Sequence, residues 1–202
     1  GVGRVAIPLA SYLDEVGGYD GYDIKKELID WCQQNIATRR KNFRFQLADI
    51  ATSWSPQGRS SVDAYRFPYP DRSFEFAYAG SIFTHILPGG SRNYLNQTAR
   101  VLKPGGSFVA TWLIYNQRST QLTTTSAAVR KNWPYDHGDF RVRAEDQPEA
   151  GALVVQGLDA REQLRVQADR IAVGGEFRRQ VFLQRLQRVI GVRTGQRVGR
   201  RT

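Results

Sequence analysis

The run RVLKPGGSFVAT, residues 100–111, restricts the fold of this chain more than any other segment. Apolar residues recur at helical spacing before it, which predicts a helix that ends at this run. The residues expected on the buried side of that helix are Tyr94, Leu95, Thr98, Val101 and Leu102. Pro104 cannot continue a helix, the two glycines after it favour a chain reversal, and residues 108–114 have the apolar pattern of a strand covered on both faces. A helix that returns to a buried strand predicts a mostly parallel sheet, and such sheets bind ligands beyond the carboxyl ends of their strands.

A shift in composition near residue 160 divides the chain. Residues 161–202 hold 11 arginines and no lysine against 3 acidic residues, whereas the charges of residues 1–160 nearly balance. We therefore expect a folded domain over residues 1–160 and an arginine-rich continuation over 161–202, which could also supply the last strands of the same domain. Such a segment can bind phosphate, but it lacks the interleaved aromatic residues of single-strand binding surfaces. We favour a solvated end over a nucleic-acid partner.

Cysteine and histidine are too scarce in this sequence for a disulfide framework or a metal site. The single cysteine, Cys32, excludes an internal disulfide and is typical of a reducing cytoplasm. Cys32, His85 and His137 do not have the spacing of a zinc or iron site, so we expect no bound metal. No apolar run is long enough to span a bilayer, and we expect a cytoplasmic location without a membrane partner. The sequence leaves the oligomeric state open.

Strand and helix patterns alternate along the first part of the chain, which is typical of an α/β fold. The predicted elements are a glycine turn and helix over 1–13, a strand over 19–24, a helix over 25–37, a strand over 43–48, a loop over 52–72, a strand over 74–79, a helix over 91–102 and a strand over 107–114. Residues 116–149 are expected to be irregular, as in a lid, and a helix over 159–168 and short strands over 170–173 and 189–192 follow. The residues of the helix over 25–37 that are available for the core are Leu28, Ile29, Trp31, Cys32 and Ile36.

Short polar groups fall at the carboxyl ends of the successive predicted strands. They are the turn Gly1-Val2-Gly3-Arg4, Asp23, Asp49 and the pair Gly80-Ser81. Each has a structural explanation when it is taken alone, as a turn, a helix cap or a helix start. In this order, ahead of the Lys-Pro-Gly-Gly segment, they indicate a single ligand site.

In these blocks the chain resembles the class I S-adenosylmethionine-dependent methyltransferases, and in particular a branch that acts on small molecules. The matching segments are residues 1–4, 22–24, 48–50, 67–76, 81–88 and 100–106. The resemblance implies a doubly wound, mostly parallel Rossmann-like sheet with S-adenosylmethionine as the cofactor. The family pattern begins with a hydrophobic strand and an acidic residue that this sequence does not contain. The sequence begins inside the glycine turn of that pattern, so the first strand of the sheet is missing from it. We expect either that this strand lies before Gly1 or that the chain binds the cofactor poorly.

The resemblance also implies a set of cofactor-binding residues, which are Gly1, Gly3, Asp23, Ile24, Asp49, Ile50, Gly80 and Ser81. The glycines of the first turn would let the backbone approach the methionine part of the cofactor. Asp23 would accept hydrogen bonds from both ribose hydroxyls, a task that suits a carboxylate. Asp49 would accept one from the adenine amino group, and Ile50 would pack on the ring. Gly80 and Ser81 would border the methionine arm and the methyl group.

Methyl transfer requires a general base only when the acceptor is a hydroxyl or an acid. His85, just past the strand over 74–79, is the candidate base, although a histidine at a helix start that packs against Phe83 and Leu87 is the more economical explanation of this residue. By analogy with its branch, the acceptor is expected to be a small molecule or a glycan hydroxyl.

Two other functions remain open from the sequence: a catalytically inactive binding module with a basic tail, and a nicotinamide-dependent oxidoreductase, which shares the contact between an aspartate and a ribose.

Overall fold

The computed structural model describes residues 1–115, 121–122, 124–127, 133–146, 152–155 and 171–172, and residues 114–115, 152–155 and 171–172 by their backbone alone. The chain divides into two compact units, Gly1–Tyr65 and Arg66–Thr202. Helices between parallel strands recur in its first part, which confirms the predicted α/β class. Among the described residues, no helix is both long and apolar enough to cross a lipid bilayer. The boundary expected near residue 160 stays a prediction.

The first unit is built around a strand, a helical crossover and a second strand. Its elements in chain order are α1 (Ala6–Leu9), β1 (Tyr19–Asp23), α2 (Lys26–Cys32), a π-helical stretch (Gln33–Ala37) and β2 (Phe43–Leu47). β1 and β2 pair in parallel, with Tyr19 opposite Phe43 and Asp23 opposite Leu47. Parallel neighbours need a crossover, which α2 and the π-helical stretch supply. These predicted elements are confirmed to within a residue, except that the first helix is shorter than expected and continues as hydrogen-bonded turns to Leu13.

The segment predicted to be a loop over 52–72 contains a strand. Residues Ile50–Ala51 form β3, and Ser60–Ser61 form β4, which pairs with β3 in parallel. The loop prediction is therefore wrong for this part of the segment. Sequence periodicity does not show such short strands, because each is held by pairing with a distant residue rather than by its own apolar pattern.

The buried face of the crossover carries Ile29, Cys32 and Ile36, which are at most 6% exposed. Their spacing places them on one side of the helical segment. Trp31 was expected among the core residues, and that prediction is wrong, since its side chain is 40% exposed. Trp31 lies one position before Cys32, so the helical rotation of about 100° per residue turns it away from this face.

The second unit contains the segment 100–111. Its first elements are β5 (Phe74–Ala79), α3 (Pro88–Val101) and β6 (Leu102–Ala110). α3 begins three residues earlier than predicted, because Pro88 at its first turn suits the fixed backbone angle of proline. The side predicted to be buried is confirmed for its helical residues, each of which is 6% exposed or less, namely Tyr94, Leu95, Thr98 and Val101. Leu102 is buried as well, but it is the first residue of β6 and not part of the helix.

The Lys103–Gly106 segment is a bulge within β6 rather than a turn between a helix and a separate strand. β6 starts at Leu102, directly after the helix, and runs parallel to β5. The pairing jumps from Phe74 opposite Leu102 to Phe76 opposite Ser107, so the residues between them loop out of the ladder. Gly105 has φ +77°, in the left-handed region that favours glycine. The predicted reversal is therefore corrected to a bulge.

The strand predicted over 107–114 is also shorter, since β6 ends at Ala110. Ile114–Tyr115 forms a separate strand, β7, in a sheet with β8 (Tyr135–Asp136), β9 (Phe140–Val142) and β10 (Ala152–Val155). β8 and β9 are antiparallel, so residues 116–149 are not irregular throughout, as had been expected. Ile171–Ala172 forms β11, parallel to β6, which confirms the strand predicted over 170–173 in its described part. The predicted helix over 159–168 and strand over 189–192 lie outside the described residues.

Candidate functional site

Two carboxylates lie at the same end of the first unit's parallel strands. The backbone N–H of Ala48, just after β2, donates to the carbonyl of Asp23, the last residue of β1, at 2.9 Å. Asp49 follows immediately. The carboxyl ends of β1 and β2 thus bring Asp23 and Asp49 to one edge, as expected for neighbouring parallel strands.

Asp23 also meets the glycine turn at the start of the chain. Its Oδ2 accepts a hydrogen bond from the nitrogen of Gly1, and its Oδ1 accepts one from the backbone N–H of Lys25 at 3.0 Å. The side chain is 21% exposed, and Ile24 beside it is half-buried. The structure therefore groups Gly1, Asp23 and Ile24, three of the residues that the resemblance implied.

Gly3 is fixed by its packing against the crossover. Its φ of +69° lies in the left-handed region, and a Cβ at this position would overlap Cδ1 of Ile36. Cys32 packs beneath the same turn, with its Sγ 3.5 Å from the carbonyl oxygen of Gly1. Burial raises the pKa of the Cys32 thiol, in keeping with the predicted role of a small buried apolar residue. Nothing lies within 4 Å of the position that a Cβ on Gly1 would take.

Asp49 is held by Arg59, ten positions further along the chain. The backbone N–H of Arg59 donates to Oδ1 of Asp49 at 2.9 Å, and its Nε donates to Oδ2. These two hydrogen bonds, the backbone one first, hold the pKa of Asp49 below its usual range, so the carboxylate stays ionised. Tyr65 lies in the field of Asp49: burial, and then that negative charge, raise the pKa of its phenol. Ile50 is 1% exposed, and its contact with an adenine ring stays a prediction.

In the second unit, β5 ends in a sharp turn. Ser81 has φ +57°, which a residue with a side chain rarely adopts. Its backbone N–H donates to Oγ1 of Thr111 at 2.7 Å, and the N–H of Thr111 donates to the carbonyl of Ala79 at 3.0 Å. Gly80 lies against the ring of Tyr78, where a Cβ would be crowded. The ends of β5 and β6 are thus tied together at Ser81 and Thr111.

His85 lies in the turn that follows Ser81 and is half-buried. The backbone N–H of His85 donates to the carbonyl of Ile82 at 2.9 Å, and α3 begins only at Pro88, so His85 is not the helix-start residue that was considered. Next to it, the buried ring of Phe83 stacks on Trp112 with 3.9 Å between ring centroids. The predicted role of His85 as a base stays a prediction.

Two polar residues at these strand ends were missed by the sequence argument, Arg59 and Thr111. Thr111 could have been found, since it directly follows the apolar part of the 100–111 run. The sequence gives no indication that Arg59 contacts another residue, because a lone arginine in a loop rich in serine and glycine is usually solvated. In the ranges that the structure describes, no three His, Cys, Asp or Glu side chains are grouped as a metal site would require.

A family model described as a methyltransferase domain matches residues 1–106. Among solved structures, the chain resembles the YcgJ protein of Bacillus subtilis, with a TM-score of 0.51 and 17% identity over 82% of this chain and 57% of that protein. It also resembles the PH0226 protein of Pyrococcus horikoshii OT3, with a TM-score of 0.53 and 20% identity over 82% of this chain and 68% of that protein. The chain thus spans between 57% and 68% of these structures' lengths. At these identities the likeness is one of fold.

Proposed function

The chain belongs to the family of class I methyltransferase domains, whose cofactor is S-adenosylmethionine, and on that basis we propose that it transfers the cofactor's methyl group to a small-molecule or glycan hydroxyl. The observation that carries the proposal is the pair of carboxylates, Asp23 and Asp49, at the carboxyl ends of β1 and β2 inside the matched segment. The oxidoreductase alternative shares only the first of these carboxylates.

The chemistry of these two side chains suits the two ends of an adenosine. Oδ1 of Asp23 accepts a hydrogen bond from the backbone N–H of Lys25, and a carboxylate has about four acceptor directions, so Asp23 retains room for ribose hydroxyls. Asp49 is ionised and 39% exposed, so its remaining acceptor directions are open to an amino group. The turn packs through Gly3 against Ile36, whereas nothing lies within 4 Å of the position that a Cβ on Gly1 would take, so the backbone is open at Gly1 to the methionine part.

The proposed reaction is an in-line displacement. When bound, S-adenosylmethionine would supply the methyl group on a sulfonium sulfur. Transfer would form the bond from the acceptor oxygen to the methyl carbon and break the bond from that carbon to sulfur, whose electron pair would remain on the neutral thioether of S-adenosylhomocysteine. The hydroxyl proton passes to the imidazole of His85 and from there to solvent. Holding the acceptor and the cofactor in line would raise the rate for any acceptor, and a base is required in addition because the proposed acceptor is a hydroxyl.

Isothermal titration with S-adenosylhomocysteine tests the cofactor part of the proposal. Asp23→Asn and Asp49→Asn should each weaken binding about tenfold or more, since a hydrogen bond to a charged group is lost or weakened. Asp30→Asn is the matched control, because Asp30 forms an exposed ion pair with Lys26 on α2. No binding by the unaltered chain, or binding of a nicotinamide dinucleotide that survives Asp49→Asn, would contradict the proposal.

Transfer of a labelled methyl group to a panel of small hydroxyl compounds and glycans tests the acceptor part. The chain should label at least one of them, and His85→Asn should lower kcat for that acceptor while the affinity for S-adenosylhomocysteine stays unchanged. An inactive binding module would bind the cofactor and label none. If His85→Asn lowers kcat and cofactor affinity together, His85 supports the fold rather than the proton transfer.

A further inference from the structure

The loop between β3 and β4 folds tightly back onto the end of the first unit's strands. Thr52 and Ser55 exchange backbone hydrogen bonds of 3.1 Å, and the N–H of Gly58 donates to the carbonyl of Ser55 at 3.2 Å. A Cβ on Gly58 would overlap the backbone of Ile50 and Ala51. Only glycine therefore allows the loop to come this close to β3, and this close approach carries the next residue, Arg59, to Asp49.

Arg59 holds both oxygens of the Asp49 carboxylate, one through its backbone N–H and one through its guanidinium. Each oxygen therefore has one acceptor direction occupied and one left. Two hydrogen bonds from one residue fix the plane of a carboxylate, which a single contact would leave free to rotate. The direction of the remaining lone pairs is thus set by Arg59.

This ion pair adds little to folding stability, because the side chain of Arg59 is 88% exposed and that of Asp49 is 39% exposed. Solvent screens such a pair, and many pairs of this kind contribute nothing measurable. The contact instead orients the Asp49 carboxylate and keeps it ionised. In the described part of the chain, the titratable groups that interact electrostatically with Asp49 are Arg59 and the buried phenol of Tyr65.

We propose that Arg59 is a positioning residue of the cofactor site, which orients the Asp49 carboxylate toward the 6-amino group of adenine and thereby sets the selectivity for adenine over 6-oxopurines. The inference rests on the proposed function, since it takes Asp49 as the partner of the adenine. An amino group donates to a carboxylate, whereas the carbonyl at the same position of hypoxanthine presents an acceptor to an acceptor. A fixed carboxylate cannot rotate away from that carbonyl, so the repulsion between the two acceptors weakens binding of the hypoxanthine compound.

The test compares the binding of S-adenosylhomocysteine and S-inosylhomocysteine, which differ at the 6 position of the purine. The unaltered chain should prefer the adenine compound about tenfold or more, the value of a hydrogen bond to a charged group. Arg59→Gln should weaken binding of the adenine compound about tenfold and leave that of the inosine compound unchanged or tighter, because the freed carboxylate can rotate away from the 6-carbonyl, so that the preference shrinks. Both variants keep the backbone contact to Asp49, but Arg59→Lys also keeps the positive charge and should therefore retain more of the preference than Arg59→Gln.

Arg44→Gln is the matched control, because Arg44 donates to both oxygens of Asp20 near the amino ends of β1 and β2, away from the proposed site. It should behave like the unaltered chain with both ligands. Equal preference in the unaltered chain and in Arg59→Gln would overturn the role of Arg59 while the cofactor proposal stands. No binding of S-adenosylhomocysteine by the unaltered chain would overturn both.

Discussion

Replacing Gly3 by alanine perturbs the turn that brings Gly1 to Asp23. Two features of the structure oppose a side chain at this position. The φ of +69° is strained for any residue with a Cβ, and the new methyl group would overlap Cδ1 of Ile36, which is itself 6% exposed and therefore confined. The substitution tests whether packing against the crossover fixes the turn.

The magnitude follows from three contributions to the free energy of unfolding. Left-handed backbone costs an alanine about 1 to 2 kcal/mol, and overpacking in a confined site costs about 1 to 3 kcal/mol. Alanine also restricts the unfolded chain, which returns about 0.4 to 1 kcal/mol. The net expectation is a loss of about 1 to 4.5 kcal/mol.

Urea unfolding followed by tryptophan fluorescence measures this loss, and Gly105→Ala is the control. Gly105 has a similar φ of +77°, but nothing lies within 4 Å of the position that its Cβ would take. Its substitution should cost only the difference between backbone strain and unfolded-state restriction, about 1 kcal/mol. If both substitutions lower the free energy of unfolding by the same amount, the overlap with Ile36 does not destabilise the fold, and the account of the turn is refuted.

Arg100→Met should lower the free energy of unfolding by about 2 to 4 kcal/mol, because the side chain is 16% exposed and the backbone carbonyls it binds would lose their donor. Asp71→Asn, at its exposed partner, should cost far less in the same urea assay. Cys32 should react with an aromatic disulfide reagent slowly in the native chain and rapidly after denaturation, since burial raises the pKa of its thiol; equal rates would contradict this. The hydrogen bond from Lys103 lowers the pKa of Glu75, so its stabilisation is present above the unfolded pKa of about 4.3 and is lost as the pH falls through the lower folded pKa. Glu75→Gln should therefore flatten the acid limb of stability against pH, and two parallel profiles would count against the contact.

The parts of the fold that the sequence predicted are those with local causes. The buried side of α3 follows from apolar spacing alone, and its end follows from Pro104, which cannot continue a helix. β5 was predicted with its observed bounds, Phe74–Ala79. The order of the polar groups after the strands led to the methyltransferase family, which the match over residues 1–106 confirms.

The parts that the sequence did not predict depend on contacts between distant residues. The bulge at Lys103–Gly106 exists because β6 resumes its pairing with β5 only at Ser107, which no local pattern records. The approach of Arg59 to Asp49 depends on how closely Gly58 lies against Ile50, and a glycine in a loop is equally compatible with an open turn. The antiparallel pair of β8 and β9 was missed because each strand is too short for its period to show.

A crystal structure of the chain with S-adenosylhomocysteine tests the central claim most directly. The account predicts that both ribose hydroxyls lie within hydrogen-bonding distance of the Asp23 carboxylate. It also predicts that the 6-amino group of the adenine donates to an Asp49 carboxylate still held by Arg59. A nucleoside bound elsewhere, or one whose ribose and adenine contact neither carboxylate, would contradict the assignment of this strand edge as the cofactor site.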